Sequence, residues 1–100
     1  MDQQELGQVG DRVVFENERV RIWEMTLEPG KSSDFHEHTL DYFLCVIEGE
    51  SIDADFDGGK SIQIPVQRGT SLFVPKGSRE VAVNRSGVCF REILIELKAS

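Results

Sequence analysis

The two histidines of the chain, His36 and His38, are separated by one residue and are the side chains best suited to chemistry. In an extended strand, residues i and i+2 face the same side, so this spacing aims both imidazoles at one point. Paired imidazoles suit zinc, copper, iron and nickel. The pattern also fits two surface histidines on an exposed edge strand, and by itself it leaves both interpretations open.

The residues around the histidines are typical of β-structure. Pro29 and Gly30 form a turn signal before them, and the run YFLCVI at 42–47 after them is dense in β-forming residues. His36, His38, Tyr42 and Leu44 share the same parity along the chain. We therefore expect these side chains to face the same side of a sheet, provided that no bulge intervenes.

Short β-rich runs alternate with turn signals along the rest of the chain. Asp57-Gly58-Gly59 lies between two such runs and predicts a hairpin, because glycine tolerates positive φ. Pro65 limits the second run to an edge or bulged strand. The segment 20–27 has apolar residues on both faces, which predicts a strand covered on both sides.

No segment has the 3.6-residue stripe of a long amphipathic helix. About eight strands are predicted, at 12–15, 20–27, 42–47, 51–56, 60–66, 71–74, 79–84 and 88–98. This pattern indicates an all-β antiparallel sandwich or barrel.

Composition narrows the classes of function. The chain of 100 residues makes a single domain, and its net charge of −7 argues against binding to nucleic acid or to an anionic membrane. No run is apolar enough to span a membrane, and the first residues lack the apolar core of a signal peptide, so we expect a cytoplasmic protein. Cys45 and Cys89 lie in apolar strand patterns. In a cytoplasmic chain this favours buried thiols, although a pair across neighbouring strands also fits.

The spacing around the histidines resembles the first sequence motif of the cupin family. Gly30 is followed by five residues, then His36-X-His38, three residues, Tyr42, six residues and Gly49. The family motif is G-(X)5-H-X-H-(X)3,4-E-(X)6-G. Every spacing matches, but Tyr42 stands where the family usually has a glutamate.

A second stretch resembles the second cupin motif, G-(X)5-P-X-G-(X)2-H-(X)3-N. Gly69 is followed by five residues, then Pro75-X-Gly77, two residues, Glu80, three residues and Asn84. Here Glu80 stands where the family usually has a histidine. Two motifs at the family's separation are far more specific than the histidine pair alone.

The resemblance implies a cupin-type jelly-roll antiparallel β-barrel with metal ligands in the barrel mouth. It is strongest to small single-domain cupins with Asp41-Tyr42 and a closing EILIELK at 92–98, some of which are associated with β-alanine degradation. Such proteins are often homodimers that exchange N-terminal strands. We therefore expect an arm with a short strand at 1–19 and the barrel at 20–100.

Carried over residue by residue, the resemblance implies that His36, His38 and Glu80 bind a divalent metal ion, which could be iron, manganese, nickel, zinc or copper. Two imidazoles and one carboxylate make up the ligand set of non-haem Fe(II) oxygenases. A protonated phenol is a poor ligand, so Tyr42 is expected to be a catalytic acid or a hydrogen-bond donor to bound ligand. A tyrosinate ligand would require the metal to lower its pKa.

A metal-free cavity is the alternative. A buried carboxylate needs a cation or donors, and in this alternative Glu80 pairs with Arg21, Arg79 or Arg91. The acids Asp34, Glu37 and Asp41 either orient the imidazoles or are solvated loop residues. The residues expected to line the pocket are Trp23, Met25, Leu44, Phe73, Phe90 and Arg91.

Three functions therefore stay open. The first is a metal-dependent enzyme that acts on a small polar organic molecule by oxidation, isomerisation, lyase chemistry or decarboxylation. The second is a non-catalytic cupin that binds or senses a small molecule at a degenerate metal site. The third is a structural subunit or dimer whose cavity is vestigial. Fold does not separate these functions, because one fold hosts many.

Overall fold

A computed structural model describes residues 6–98, which form nine β-strands in two antiparallel sheets. The strands are β1 (Arg12–Glu16), β2 (Val20–Leu27), β3 (His36–Glu37), β4 (Tyr42–Glu48), β5 (Ser51–Phe56), β6 (Ser61–Pro65), β7 (Ser71–Val74), β8 (Arg79–Val83) and β9 (Phe90–Leu97). One sheet has the order β1-β2-β9-β4-β7 and the other β3-β8-β5-β6. The predicted all-β jelly-roll class is confirmed. Within 6–98 there is no helix long and apolar enough to cross a membrane.

Strand β9 is the centre of the larger sheet because it pairs with β2 on one side and with β4 on the other. Its side chains alternate strictly: Phe90, Glu92, Leu94 and Glu96 are buried, whereas the residues between them face outward. Strand β4 alternates in the same way, with Tyr42 and Val46 buried. The interior therefore receives both apolar and acidic side chains from the last strand.

The interior divides into two groups of packed side chains. The first joins both sheets and consists of Met25, Leu27, Val46, Ile52, Ala82 and Phe90. The second consists of Val9, Trp23, Tyr42 and Leu94. Fully burying a large apolar side chain contributes about 1.5–3 kcal/mol, so these groups supply much of the force that holds the sheets together.

The hairpin predicted from Asp57-Gly58-Gly59 is present between β5 and β6. Gly58 and Gly59 have φ angles of 97° and 96°, a region that favours glycine. Pro65 lies on β6, which is the edge strand of its sheet, as predicted. Cys45 and Cys89 are unpaired, as predicted, but both are half-buried and not fully buried.

The segment 6–11 packs against the barrel of its own chain. Gly7 N–H donates to the Phe35 carbonyl at 2.7 Å, Asp11 N–H donates to the Glu24 carbonyl, and Val9 is buried. Strand β1 pairs with β2 of the same chain. Exchange of this arm between subunits stays a prediction, and residues 1–5 of the predicted arm lie outside the described residues.

One expectation for β2 was wrong. Its inner face is buried, but on its outer face Thr26 is exposed and Ile22 is only half-buried. No second layer of residues from 6–98 covers this face. Strand β2 therefore has apolar residues on both faces, but within one chain only its inner face is buried.

Candidate metal centre in the barrel cavity

The second sheet brings the two motifs into contact. Strand β3 pairs with β8 so that His36 lies opposite Glu80. The backbone of His38 continues this pairing, because its N–H donates to the Ser78 carbonyl and its carbonyl accepts from Gly77 N–H. Gly77 has a φ of 120°, so glycine suits the turn into β8. The short pairing thus fixes the histidines beside the glutamate.

The ligand atoms of these three residues converge on one point. The Nε2 atoms of His36 and His38 are 3.1 Å apart, and His38 Nε2 is 3.9 Å from Glu80 Oε2. One ligand atom from each residue lies within 4.8 Å of the others, a grouping that could hold a metal ion. Both histidines are only 2 % exposed. The predicted metal ligands are thus neighbours in space.

The His36 ring is held in one tautomer. Its Nδ1 lies 2.7 Å from the Asp34 carbonyl oxygen, which can only accept a hydrogen bond. Nδ1 therefore carries the proton and donates it to Asp34, which leaves a lone pair on Nε2. That lone pair points towards His38, as a metal ligand at this position requires.

The His38 ring is stacked on Tyr42 and stays neutral. The two ring centroids are 4.1 Å apart and the planes differ by 19°. Within 6–98, the buried Nδ1 of His38 has no hydrogen-bond partner. Burial, together with the nearby His36, lowers the pKa of His38 to about 3. The imidazole is therefore neutral over the whole neutral pH range, and one of its two ring nitrogens has a lone pair for a metal.

Glu80 reaches the centre from β8 and is held by one hydroxyl group. Ser78 Oγ donates to Glu80 Oε1 at 2.9 Å, and the side chain is 13 % exposed. Glu80 faces inward, on the same side of the strand as the buried Ala82 and Asn84. The second carboxylate oxygen faces the histidines.

None of the three arginines named as partners for Glu80 pairs with it. Arg21 donates to Glu96 at 2.7 Å, Arg79 pairs with acids on the outer surface, and Arg91 is exposed. The metal-free alternative required an arginine at Glu80. Within the described part of the chain, that pairing is absent.

The acids around the histidines do not orient the imidazoles through their carboxylates. Asp34 contributes its backbone carbonyl to His36 instead. The Glu37 carboxylate lies 3.4 Å from an arginine of β8, and Asp41 accepts a backbone N–H at 2.8 Å. These acids therefore shape the loops that carry the histidines.

Tyr42 is buried in the cavity wall and remains a protonated phenol. Burial is the main cause that raises its pKa above the ordinary value of 10.0, and the Glu80 and Glu92 carboxylates raise it further. A tyrosinate ligand is therefore disfavoured. The phenol can donate a hydrogen bond to a bound molecule.

The three candidate ligands line a cavity of about 440 Å³ between the sheets, within the range of small-molecule sites. Its walls are mostly aliphatic. The apolar residues around it are Val9, Met25, Leu44, Ile52, Ala54, Phe56, Ile62, Ile64, Leu72, Val74, Pro75, Ala82 and Leu94. Pro75 and Lys76, which are exposed, lie at its rim.

Two of the six residues expected to line the pocket do so, namely Met25 and Leu44. The other four do not border it: Trp23, Phe73, Phe90 and Arg91.

Packing and strand parity explain these four positions. The Trp23 indole N–H donates to Glu96, which fixes the ring in the core beside the cavity, and Phe90 is completely buried in the other core group. Phe73 is 53 % exposed and Arg91 is exposed, because both lie on the outward parity of their strands.

Glu92 is a cavity residue that the sequence analysis missed. It lies on the inward parity of β9, is 4 % exposed and lines the cavity. Burial raises its pKa to about 8, and the nearby Glu80 and Asp11 carboxylates add to the effect. The available signal was an acid that shares the parity of the apolar residues Phe90 and Leu94 on β9.

Comparison with known proteins gives the fold a context. No protein-family model and no curated protein matches the chain. Among solved structures, a cupin domain from Bordetella pertussis is 28 % identical, with a TM-score of 0.81, over 98 % of this chain and 100 % of that chain. A cupin superfamily protein from Desulfitobacterium hafniense is 19 % identical, with a TM-score of 0.67, over 98 % and 84 %.

A third similar structure is an uncharacterized conserved protein with a double-stranded β-helix domain from Klebsiella pneumoniae. It is 18 % identical, with a TM-score of 0.67, over 88 % of this chain and 82 % of that chain. The last two likenesses bear on the fold alone, and none of the three shows a link to β-alanine degradation. The chain thus has the jelly-roll fold of solved structures that are described as a cupin domain and a cupin superfamily protein.

Proposed function

We propose that this chain is a small cupin that binds one divalent metal ion through His36, His38 and Glu80 and acts on a small organic molecule in the adjoining cavity. The observation that carries the proposal is the convergence of two buried imidazole Nε2 atoms and one carboxylate at the cavity wall.

The arrangement of donors fits a metal ion. When two nitrogens bind the same cation at about 2.0–2.1 Å in neighbouring coordination positions, they lie about 3 Å apart. The Nε2 atoms of His36 and His38 are 3.1 Å apart. Glu80 adds the negative charge that helps to hold a cation. Imidazole and carboxylate donors suit iron, manganese, nickel, zinc and copper, so the donors alone do not select one metal.

The cavity residues also support chemistry. A bound divalent ion would polarise a substrate oxygen or acidify a bound water. Tyr42 is protonated and can donate a hydrogen bond to the same molecule, and the aliphatic walls exclude bulk water from it. Oxidation, isomerisation, lyase chemistry and decarboxylation are the reaction types open to such a site. A role in β-alanine degradation is a proposal that rests on the sequence resemblance alone.

Metal content, measured by elemental mass spectrometry on tag-free protein purified without chelators, tests the metal site. The chain has no histidines other than His36 and His38, so a histidine-dependent ion must be bound there. We expect about one metal per chain in the wild type and none in His36→Ala/His38→Ala. Glu37→Gln is the matched control, because Glu37 lies between the histidines but pairs with Arg79 outside the cavity.

A metal that survives in the double variant would place the ion elsewhere and overturn the proposed site. The same holds for a wild-type chain that stays metal-free after reconstitution with iron, manganese, nickel and zinc. Loss of metal in Glu37→Gln would indicate that the double variant acts through the fold of the β3 segment.

A non-catalytic binding or sensing cupin is the second candidate. It is favoured by the protonated Tyr42, which replaces a carboxylate of the usual ligand set and leaves three protein donors. In this case His36→Ala would leave the affinity for a bound organic molecule nearly unchanged. A metal-dependent enzyme would instead lose turnover in the same variant.

We further propose that the chain forms a homodimer through the outer face of the larger sheet. Paired residues form a row across all five strands, here called the apolar row: Phe15, Ile22, Ile95, Phe43 and Phe73. The three phenylalanines are 39–53 % exposed. An exposed apolar patch of this kind marks an interaction surface, and a two-fold axis would let the row cover itself.

The charge of the chain bears on the other expected partners. A net charge of −7 opposes binding to nucleic acid and to anionic membranes. We propose that the chain works in the cytoplasm on a small molecule, without a nucleic-acid or membrane partner.

A further inference from the structure

Glu92 is a buried acid that the proposed metal site does not use. It is 4 % exposed, faces the cavity from β9, and receives no hydrogen bond from any residue between 6 and 98. The other buried glutamate of the strand, Glu96, is held by Arg21 and Trp23. Polar groups at this depth are normally paired, and because Glu92 borders the cavity, a molecule bound there could supply the partner.

A metal ion would not supply that partner. The atoms that lie within 4.8 Å of one another belong to His36, His38 and Glu80, and Glu92 is not one of that group. A cation held there would neutralise the Glu80 end of the cavity and leave Glu92 without a donor.

Residues 6–98 place no lysine or arginine inside the cavity beside Glu92. Lys76 is the one lysine or arginine among the described residues that border the cavity, and it is exposed at the rim. The cavity interior therefore holds the carboxyl groups of Glu80 and Glu92 without a balancing cation, surrounded by aliphatic walls. Burial keeps the proton on Glu92 in the empty cavity, and an ammonium group beside it would favour the ionised form. An anionic ligand would be repelled there, whereas a positively charged group on an aliphatic body would satisfy both features.

We propose that Glu92 anchors the amino group of a small aliphatic amine, whose hydrocarbon body fills the cavity beside the metal site. This inference deepens the proposed function by naming a class of ligand. It rests on that function in one respect, namely that the cavity is the site where the ligand binds. A charge-assisted hydrogen bond from the ammonium to Glu92 would fix the orientation of the molecule.

Binding of three probes of equal chain length tests the proposal: n-hexylamine, 1-hexanol and hexanoate. Each is titrated into chelator-treated, dialysed protein and followed by ¹H–¹⁵N NMR. We expect hexylamine to bind about 10-fold more tightly than hexanol or better, to shift signals of cavity residues, and to outcompete hexanoate. In Glu92→Gln its affinity should fall by about 10-fold or more, while that of hexanol changes little.

Glu48→Gln is the matched control, because it removes the same charge from an exposed position on β4. Its affinity for hexylamine should equal that of the wild type. Equal binding of hexylamine by Glu92→Gln and wild type would overturn the proposal. So would binding of hexanoate as tight as that of hexylamine, or hexylamine shifts confined to residues outside the cavity.

Zinc content separates this proposal from the metal site. Glu92→Gln should bind zinc as the wild type does, and loss of zinc in this variant would make Glu92 a metal ligand and overturn the proposal. If the wild type binds no metal at all, the metal site fails, but the probe titrations on metal-free protein still decide the role of Glu92.

Discussion

At the level of single residues, three inward-facing carboxyl groups differ in what surrounds them. Glu96 accepts hydrogen bonds from Arg21 and Trp23, both at 2.7 Å. Glu80 accepts one from a serine hydroxyl and faces a histidine. Glu92 has only low-dielectric surroundings and other acids near it. The environment thus gives the first a structural role, fits the second to the proposed ligand role and raises the pKa of the third.

Glu92 should make the stability of the metal-free protein fall as the pH rises. Its pKa is raised from 4.5 to about 8 in the folded chain, so the folded state binds this proton more tightly than the unfolded state. The protonated carboxyl group contributes fully to the free energy of unfolding below pH 4.5. This contribution decreases as the pH rises from 4.5 to about 8. Glu92→Gln does not titrate, so urea unfolding should show a stability advantage over wild type that grows by up to about 4 kcal/mol between pH 5 and 8.

The exposed control Glu48→Gln should follow the wild-type pH dependence throughout this range. If wild type and Glu92→Gln instead change in parallel with pH, the carboxyl group is ionised normally in the folded chain. Glu92 would then have a donor that residues 6–98 do not supply.

The sequence predicted the candidate ligands better than it predicted the cavity wall. The motif spacings brought His36, His38 and Glu80 together because β3 and β8 pair in one register. Phe73 and Arg91 were wrongly predicted to line the cavity. Both point outward on β7 and β9, and because side chains alternate along a strand, a shift of one residue moves a side chain to the other face. No local pattern tells whether a strand acid such as Glu92 will lack a partner.

At the level of elements, the sequence predicted the strands whose position depends on their own residues and on the adjacent turns. Period-two alternation and turn glycines indicated eight of the nine strands, with ends that differ by a few residues from those observed. Strand β3 has only two residues, too few for a period, and it exists through pairing with β8 more than forty positions along the chain. The segment 6–11 likewise has no periodicity, and its position depends on Val9 and on the loop at 33–36.

This segment braces the loop that orients the metal site, so Gly7→Ala should weaken metal binding. A Cβ at Gly7 would collide with Cβ of Asp34, and because that atom is fixed to the backbone, the loop or the segment must move. The carbonyl of Asp34 accepts the Nδ1–H bond of His36. Disturbing the partner of a metal-binding histidine typically costs about 10-fold or more in affinity, and a competition titration with zinc would measure this loss.

Gly87→Ala is the control for this variant, because a Cβ at Gly87 meets no atom within 4 Å. It should bind zinc with wild-type affinity. Wild-type zinc affinity in Gly7→Ala would show that the segment 6–11 and the loop are not coupled, and the brace would then have no role in the site.

At the level of the whole molecule, the two faces of the larger sheet have different partners. The inner face packs on the second sheet and the cavity, while the outer face carries the apolar row. Phe43 and Phe73 at one end of the row form an edge-to-face pair with ring centroids 5.3 Å apart. The strand patterning predicted apolar residues on both faces, but it could not tell burial within the chain from burial between chains, since both give the same sequence.

Phe73→Ser should therefore weaken self-association and leave the fold intact. The ring is 53 % exposed in the single chain, so its removal opens no cavity. In a dimer that covers the apolar row, loss of a buried aromatic side chain should raise the dissociation constant about 10-fold or more. Light scattering with size-exclusion chromatography should give twice the chain mass of 11.3 kDa for the wild type and a shift towards the monomer for the variant.

Val88→Ser is the control, because Val88 is 38 % exposed and lies outside the row. A wild type that is monomeric at high concentration, or equal dissociation constants for wild type and Phe73→Ser, would exclude the apolar row as the dimer interface.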